Sequence, residues 1–502
     1  MSFLFDALKF IGILFVVLLI FNFIILVHEW GHFLAARWRG LKIEKFQIWM
    51  GKTIWKKTYN GVQYGLGTIP IGGFVQLPQM SPMEAIEGRS GENREVLPPI
   101  KPIDKIIVAF AGPLFSFLLA VFFACGVWIF GQPMPDEPVV GYTLPGMPAS
   151  QPGNLKAGDR ILEVDGEEVY RFTGLTHSVL WVVASGSEEE VKFKIQREGE
   201  AGPREVIVKA PYKEGELYKE WENDTSWLQK LYKRPPLRKV GIAPPLEAQI
   251  KGTMEHSPAA EAGFQKGDII LTVNGEKCYN PALAWVLAEK FPDKPIVTTV
   301  KRGDKTVELT MQPRMPEDDP RPEKARIALT GLEFEPIERD EPLLIHPAPF
   351  QLIADCFGNT VATFQKLFTP GSPIGVSQMS GPVGIMNLYY NILQNDQWWR
   401  LVMFFSVVLN IGLAIFNMLP FPVLDGGHIT MAVMEMVRGK PMNTRLLEFV
   451  QLLCVLGLLS FVLFVTLKDV GHIAESGEGK LPKFKPSAEA VPSPADPAAA
   501  NP

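Results

Sequence analysis

His28, Glu29 and His32 form an H-E-x-x-H set at the end of an apolar run from Phe10 to Val27, in which Asn22 is the strongly polar side chain. Positions i and i+4 share one helix face, so both imidazoles can hold one Zn²⁺. The Glu29 carboxylate beside them suits a general base toward water at the metal. The run is long enough to cross a bilayer, and the motif continues it in the helical frame. Each ionisable group near the bilayer centre costs on the order of 2.5–3.5 kcal/mol. A purely structural pair of hydrogen-bonded histidines is therefore the weaker reading. The spacing points to hydrolysis at membrane depth.

Hydrolytic zinc takes three protein ligands and keeps one position open. Asp425, in the segment Asn417-Met418-Leu419-Pro420-Phe421-Pro422-Val423-Leu424-Asp425-Gly426-Gly427-His428, is the best candidate for the third. Pro420 and Pro422 break regular helix and free backbone groups, which a membrane tolerates only beside protein or a cavity. Asp-Gly-Gly is otherwise a good turn at a helix end. Beside an H-E-x-x-H set, the ligand reading prevails.

These residues need helices to bring them together. Four stretches qualify as spanning helices: roughly Leu8–Ala36, Ile106–Phe130, Leu401–Leu419 and Phe449–Leu467. Between Arg37 and Lys57 lie seven basic residues against one acid, Glu44. Arg438, Lys440 and Arg445 follow the third run. The positive-inside rule places both loops in the cytoplasm, with the long central segment and both termini opposite. At 502 residues the chain divides into several domains. A net charge of −5 gives no sign of nucleic-acid binding, and four scattered cysteines indicate neither a disulfide framework nor a Cys₄ site.

Lys45–Trp55 and Val62–Thr68 alternate apolar and polar residues around Asn60-Gly61, a hairpin signal. Pro70–Leu77 follows as a glycine-kinked extended segment, expected to offer a strand edge to a substrate. Between the second and third runs, Ala157–Gly166 repeats as Lys266–Gly275, each a turn into a strand that ends at a tight turn. This repeat resembles a tandem of PDZ domains. The segments are 1–36 (first helix with the motif), 37–105 (hairpin and loop), 106–131 (second helix), 138–211 and 239–336 (the repeats) and 212–238 (an insertion of no evident function). Then follow 345–370 (amphipathic helix), 380–400 (connecting segment), 401–425 (third helix with L-D-G), 449–467 (fourth helix) and 482–502 (disordered tail). The expected fold is thus a multi-pass α-helical membrane protein of about four transmembrane helices. A membrane-associated β-hairpin lies on it, and two tandem PDZ-like α+β domains are inserted between helices two and three.

From residue 8 to 470 the chain resembles the site-2 protease family of intramembrane zinc metalloproteases, in its bacterial form with tandem PDZ domains. The resemblance rests on H-E-W-G-H, the Pro70–Leu77 loop, Ala111-Gly112-Pro113, the repeat pair, Ser380–Ile385 and the Asn417–Gly427 segment. It implies one Zn²⁺ per chain on His28, His32 and Asp425, with Glu29 as catalytic base. It also implies substrate contacts at Asn417, Pro420, Pro422, Gly72, Gly73, Phe74 and Val75. Three positions depart from the family pattern. Phe74-Val75-Gln76 replaces Tyr-Val-Lys, Ser116 stands where Asn commonly follows A-G-P, and Gly412 takes the place of an upstream Asn, with Asn410 nearby.

The resemblance implies cleavage of the spanning segments of single-pass membrane proteins, such as anti-sigma factors or signal-peptide remnants, in a bacterial inner membrane. The active site faces the cytoplasm, and the PDZ domains, open to peptide or protein ligands, lie outside. The lipid bilayer is the one other partner, and no nucleic acid is expected. The competing reading is a membrane-anchored PDZ scaffold with a vestigial protease core; it expects loss of His28, Glu29, His32 or Asp425, and all four are present.

Overall fold

The computed structural model describes residues 2–80, 100–134, 136–174, 177–213, 215–319, 326–337, 344–370, 372–439 and 444–475. The tail expected at 482–502 lies outside them. Four described helices are long and apolar enough to cross a membrane, over Leu8–Trp38, Pro102–Phe130, Trp398–Asn417 and Phe449–Gly471. The first lies in α1 (Ser2–Trp38). Helix α1 exposes large apolar residues, among them Phe10, Phe15, Leu19 and Phe23, as lipid surroundings require.

After α1 the chain builds a four-stranded sheet: β1 (Lys45–Met50), β2 (Trp55–Tyr59), β3 (Val62–Leu66) and β4 (Ile69–Gln76), in the order β2-β3-β1-β4. The hairpin turns at Asn60-Gly61, both left-handed with φ of 48° and 79°. Its first strand is Trp55–Tyr59, not the whole of Lys45–Trp55. Gly51, at φ 87°, breaks that alternating run, and β1 instead pairs in parallel with β3 and antiparallel with β4. Strand β4 therefore lies at the edge of the sheet.

Helix α2 (Pro102–Phe130) starts with proline at its first position and Asp104 in its first turn, both favourable at a helix N-terminus. It packs against α1 through a reciprocal pair of glycines. A Cβ on Gly31 would overlap the Ala111 carbonyl, and one on Gly112 would overlap the His28 and His32 imidazoles. Small residues let the two backbones approach this closely. Arg39 binds Asp104 at 2.6 Å and fastens the end of α1 to the start of α2.

The first repeat unit contains β5 (Arg160–Val164), β6 (Glu167–Glu168), α3 (Val179–Ser185), β7 (Glu190–Gln196) and β8 (Arg204–Lys209). Its sheet runs β8-β7-β5-β6 over a core that includes Ile161, Phe172, Val191 and Phe193. The insertion holds α4 (Glu216–Asp224) and α5 (Gln229–Tyr232). The chain then returns to the first unit: Val240 joins its core, Ile242–Ala243 pairs with Tyr142–Thr143, and buried Arg238 donates to the Val183 and Glu188 carbonyls. The 212–238 segment thus interrupts the first unit rather than separating two units. The boundary expected at 239 moves to the strands that follow.

The second unit contains β9 (Ala248–Thr253), α6 (Pro258–Glu261), β10 (Ile269–Val273), β11 (Glu276–Lys277), α7 (Leu283–Lys290), β12 (Ile296–Arg302), β13 (Lys305–Met311) and β14 (Leu332–Pro336). Its sheet order β11-β10-β12-β13 repeats that of the first. The repeat extends to polar bonds. Buried Asp159 accepts from Arg197 at 2.7 Å and from the Lys156 N–H at 2.8 Å. Buried Asp268 accepts from Arg302 at 2.6 Å and from the Gln265 N–H at 2.9 Å.

The amphipathic pattern becomes α8 (Pro349–Phe368), which buries Leu352, Ile353 and Cys356 and exposes Phe350, Phe357 and Phe368. The connecting segment expected at 380–400 instead contains a helix, α9 (Pro382–Ile392), before α10 (Trp398–Asn417) begins. Helices α2, α8 and α10 share one core, including Ala120, Ala124, Val127, Val407 and Ile411. The third spanning helix stops at Asn417 rather than running to 425, because Pro420 and Pro422 lack the N–H donors a helix needs. Asp425 instead opens a new helix, α11 (Asp425–Arg438). The fourth spanning segment lies in α12 (Thr444–Glu475).

The insertion docks on the far end of α12. Lys468 Nζ donates to the Lys230 and Lys233 carbonyls at 2.5 and 2.6 Å. Asp469 accepts from Arg234 at 2.7 Å and from the Gly381 and Gly384 N–H groups at 2.9 and 2.7 Å.

Candidate metal centre

Helix α1 presents His28 and His32 one above the other, toward α2 and α11. Among the described residues these two and Asp425 are the group able to hold a metal ion. The Nε2 atoms of His28 and His32 lie 3.3 Å apart, His28 Nε2 lies 3.2 Å from Asp425 Oδ2, and His32 Nε2 lies 3.3 Å from Asp425 Oδ1. Tetrahedral zinc with ligands at about 2.0–2.1 Å spaces them by about 3.3–3.4 Å. The triangle fits that ion.

The outer nitrogens are fixed as well. His32 Nδ1 donates to the Val108 carbonyl at 2.8 Å, which leaves the Nε2 lone pair facing the centre. His28 Nδ1 lies 2.9 Å from Ser116 Oγ. Both partners are on α2, whose close approach depends on Gly31 and Gly112. Ser116 is the position that departs from the family's Asn, and it occupies the supporting role for a metal-facing histidine. Sequence reasoning noted the departure but not this contact, which requires the packing of α1 on α2.

Asp425 stands in the first turn of α11, where the helix dipole favours a carboxylate. The glycines after it are needed for space: a Cβ on Gly426 would overlap the Met418 carbonyl, and one on Gly427 the Phe421 carbonyl. Lys105 on α2 binds Glu435 on α11 at 2.7 Å and ties the two helices further.

A cavity of about 920 Å³ opens on the three donors, lined also by Glu29, Gly73, Phe74, Val75, Asn417 and His428. Glu29 lies within hydrogen-bonding reach of the Val75 backbone N–H. The Gln76 carbonyl turns the other way, toward the Glu44 N–H beside β1. Alternation along β4 thus directs the Val75 groups to the free edge and into the cavity. Gly72, at φ 74°, supplies the kink without lining the wall. Pro420 and Pro422 also lie outside the lining; they end α10 and set the path to Asp425. Two further residues escaped the sequence reading. Asn22 donates to the Pro70 carbonyl at 3.0 Å and pins the start of β4 to α1. His428 lines the cavity, and burial pushes its imidazole below the ordinary value.

The fold and the centre define a multi-pass helical membrane protein with a two-histidine, one-aspartate site and an adjacent glutamate, the donor set of hydrolytic metalloenzymes. By sequence the chain belongs to peptidase family M50, whose profile matches residues 16–461. It is similar to the regulator of sigma-E protease RseP of Escherichia coli K12, 27% identical over 467 residues, 89% of this chain and 94% of the relative. A regulator of sigma E protease from Haemophilus influenzae is 27% identical over 462 residues, 88% of this chain and 95% of its own. A Vibrio cholerae protein with zinc metalloprotease in its name is 25% identical over 446 residues, 85% of this chain and 91% of its own.

Proposed function

We propose that this chain is an intramembrane site-2 protease that holds one zinc ion on His28, His32 and Asp425 and cleaves the spanning segments of membrane proteins, anti-sigma factors among them. The observation that carries the proposal is the convergence of three metal donors, the Glu29 carboxylate and the free edge of β4 on one cavity inside a bundle of membrane-spanning helices. Zinc held by His28, His32 and Asp425 would supply Lewis-acid chemistry toward the scissile carbonyl and water. Glu29 takes the water proton and delivers it to the departing amine.

A substrate helix hides its peptide bonds in i→i−4 hydrogen bonds and must unwind to be cut. The outward Val75 backbone groups replace those bonds by pairing with the extended segment. Asn417, at the last turn of α10, offers a side-chain amide to the same segment. Gly73 and Phe74 complete the binding edge, while Gly72, Pro420 and Pro422 shape it from behind. The basic residues from Arg37 to Lys57 set this end of α1 in the cytoplasm of a bacterial inner membrane. The repeat units, read as PDZ-like domains on the opposite side, restrict access by bulky ectodomains.

Glu29→Gln is the direct test. The purified variant should keep one zinc per chain and lose about 10²–10⁴-fold in cleavage of a single-pass substrate. Undiminished cleavage by this variant refutes the assignment.

A further inference from the structure

A second cavity lies on the other flank of α1, away from the metal. It measures about 610 Å³, within the roughly 300–1,000 Å³ of ligand sites. Its α1 wall is Leu26, Val27 and Trp30, whereas the metal cavity uses Ile25, His28, Glu29 and His32. The opposite wall is the face of the sheet. Phe46 on β1 and Tyr64 on β3 join Trp30 in one ring cluster, with centroids 5.6 Å (Trp30–Phe46) and 6.2 Å (Phe46–Tyr64) apart.

Strand β2 forms the rim and is exposed along its whole length. Side chains alternate between strand faces, so Trp55, Lys57 and Tyr59 share the face that lines the groove, and Lys56 points to the other. Among the described residues of the lining, Lys57 is the charged one, and no carboxylate accompanies it. The groove is therefore an apolar trough that opens at a tryptophan, a tyrosine and one ammonium. Trp and Tyr mark the level of lipid headgroups, and the α1 wall belongs to a membrane-spanning segment.

We propose that this groove binds an anionic phospholipid, with one acyl chain along Leu26, Val27 and Trp30 and the phosphate on Lys57. An apolar trough alone accepts any chain. The ammonium of Lys57 at its mouth selects a headgroup with net negative charge. Trp30 stands between Glu29 and Gly31, so an occupied groove packs against the helical turn that carries the candidate base. The site is independent of metal binding.

Native mass spectrometry of the full chain in mild detergent, titrated with phosphatidylglycerol or phosphatidylcholine, tests this. The wild type and Lys56→Gln should each retain one phosphatidylglycerol and prefer it to phosphatidylcholine. Lys57→Gln should weaken that binding by about fivefold, the equivalent of ~1 kcal/mol for one lysine at an anionic lipid surface. Equal loss in both lysine variants, no loss in Lys57→Gln, or equal retention of phosphatidylcholine by the wild type overturns the proposal. Zinc content measured on the same samples reports that each variant is folded.

Discussion

Asp425 and Asp469 each hold a carboxylate near a helix end, partly buried at Asp425 and fully buried at Asp469, and the chain surrounds them in opposite ways. Asp469 is closed: Arg234 neutralises it at Oδ1, and the Gly381 and Gly384 N–H groups both donate to Oδ2. Asp425 faces two imidazoles whose outer nitrogens are already engaged, so three lone-pair donors converge with no cation of the protein's own between them. A carboxylate satisfied by arginine and backbone is a joint. One that shares its space only with other donors is a place for a metal.

The comparison can be broken from either side. Asp425→Asn should abolish stoichiometric zinc and cleavage together while the fold persists, as metal analysis and circular dichroism would register. Asp469→Ala should leave zinc in place but strand Arg234. Breaking a buried pair costs about 3–5 kcal/mol, and the lower end applies because the Arg234 side chain is 20% exposed. A large fall in the thermal unfolding midpoint and faster hydrogen exchange over 216–238 are the expected readings. Ser116→Ala removes the partner of His28, so zinc affinity should fall by about 10–100-fold in a chelator competition, with activity restored by excess zinc. Arg234→Lys should have the smallest effect, about 1 kcal/mol, because it keeps the charge and gives up only the planar Nη2 group that donates to both Asp469 and the Met379 carbonyl.

The chemistry of the centre was more legible than its construction. His28, Glu29 and His32 can be read from sequence because helical periodicity alone puts them on one face. Asp425 can be read because zinc requires a third ligand. Its place at the start of α11 could not, since that depends on where Pro420 and Pro422 let a new helix begin. Ser116 and Val108 support the histidines only through the packing of α1 on α2, which no local pattern encodes. The strand expected from Lys45 to Trp55 failed at Gly51, where a left-handed residue outweighs alternation. The insertion was unreadable for a related reason: Arg234 and Lys230 meet Asp469 and Lys468 from the far end of the chain.

The separation of the ligands also has a consequence for synthesis. His28 and His32 leave the ribosome well ahead of Asp425, which emerges only after both repeat units and the third spanning helix. Until then the nascent chain carries two ligands and an incomplete cavity. The candidate centre is therefore completed only after the extramembrane repeat units have been made.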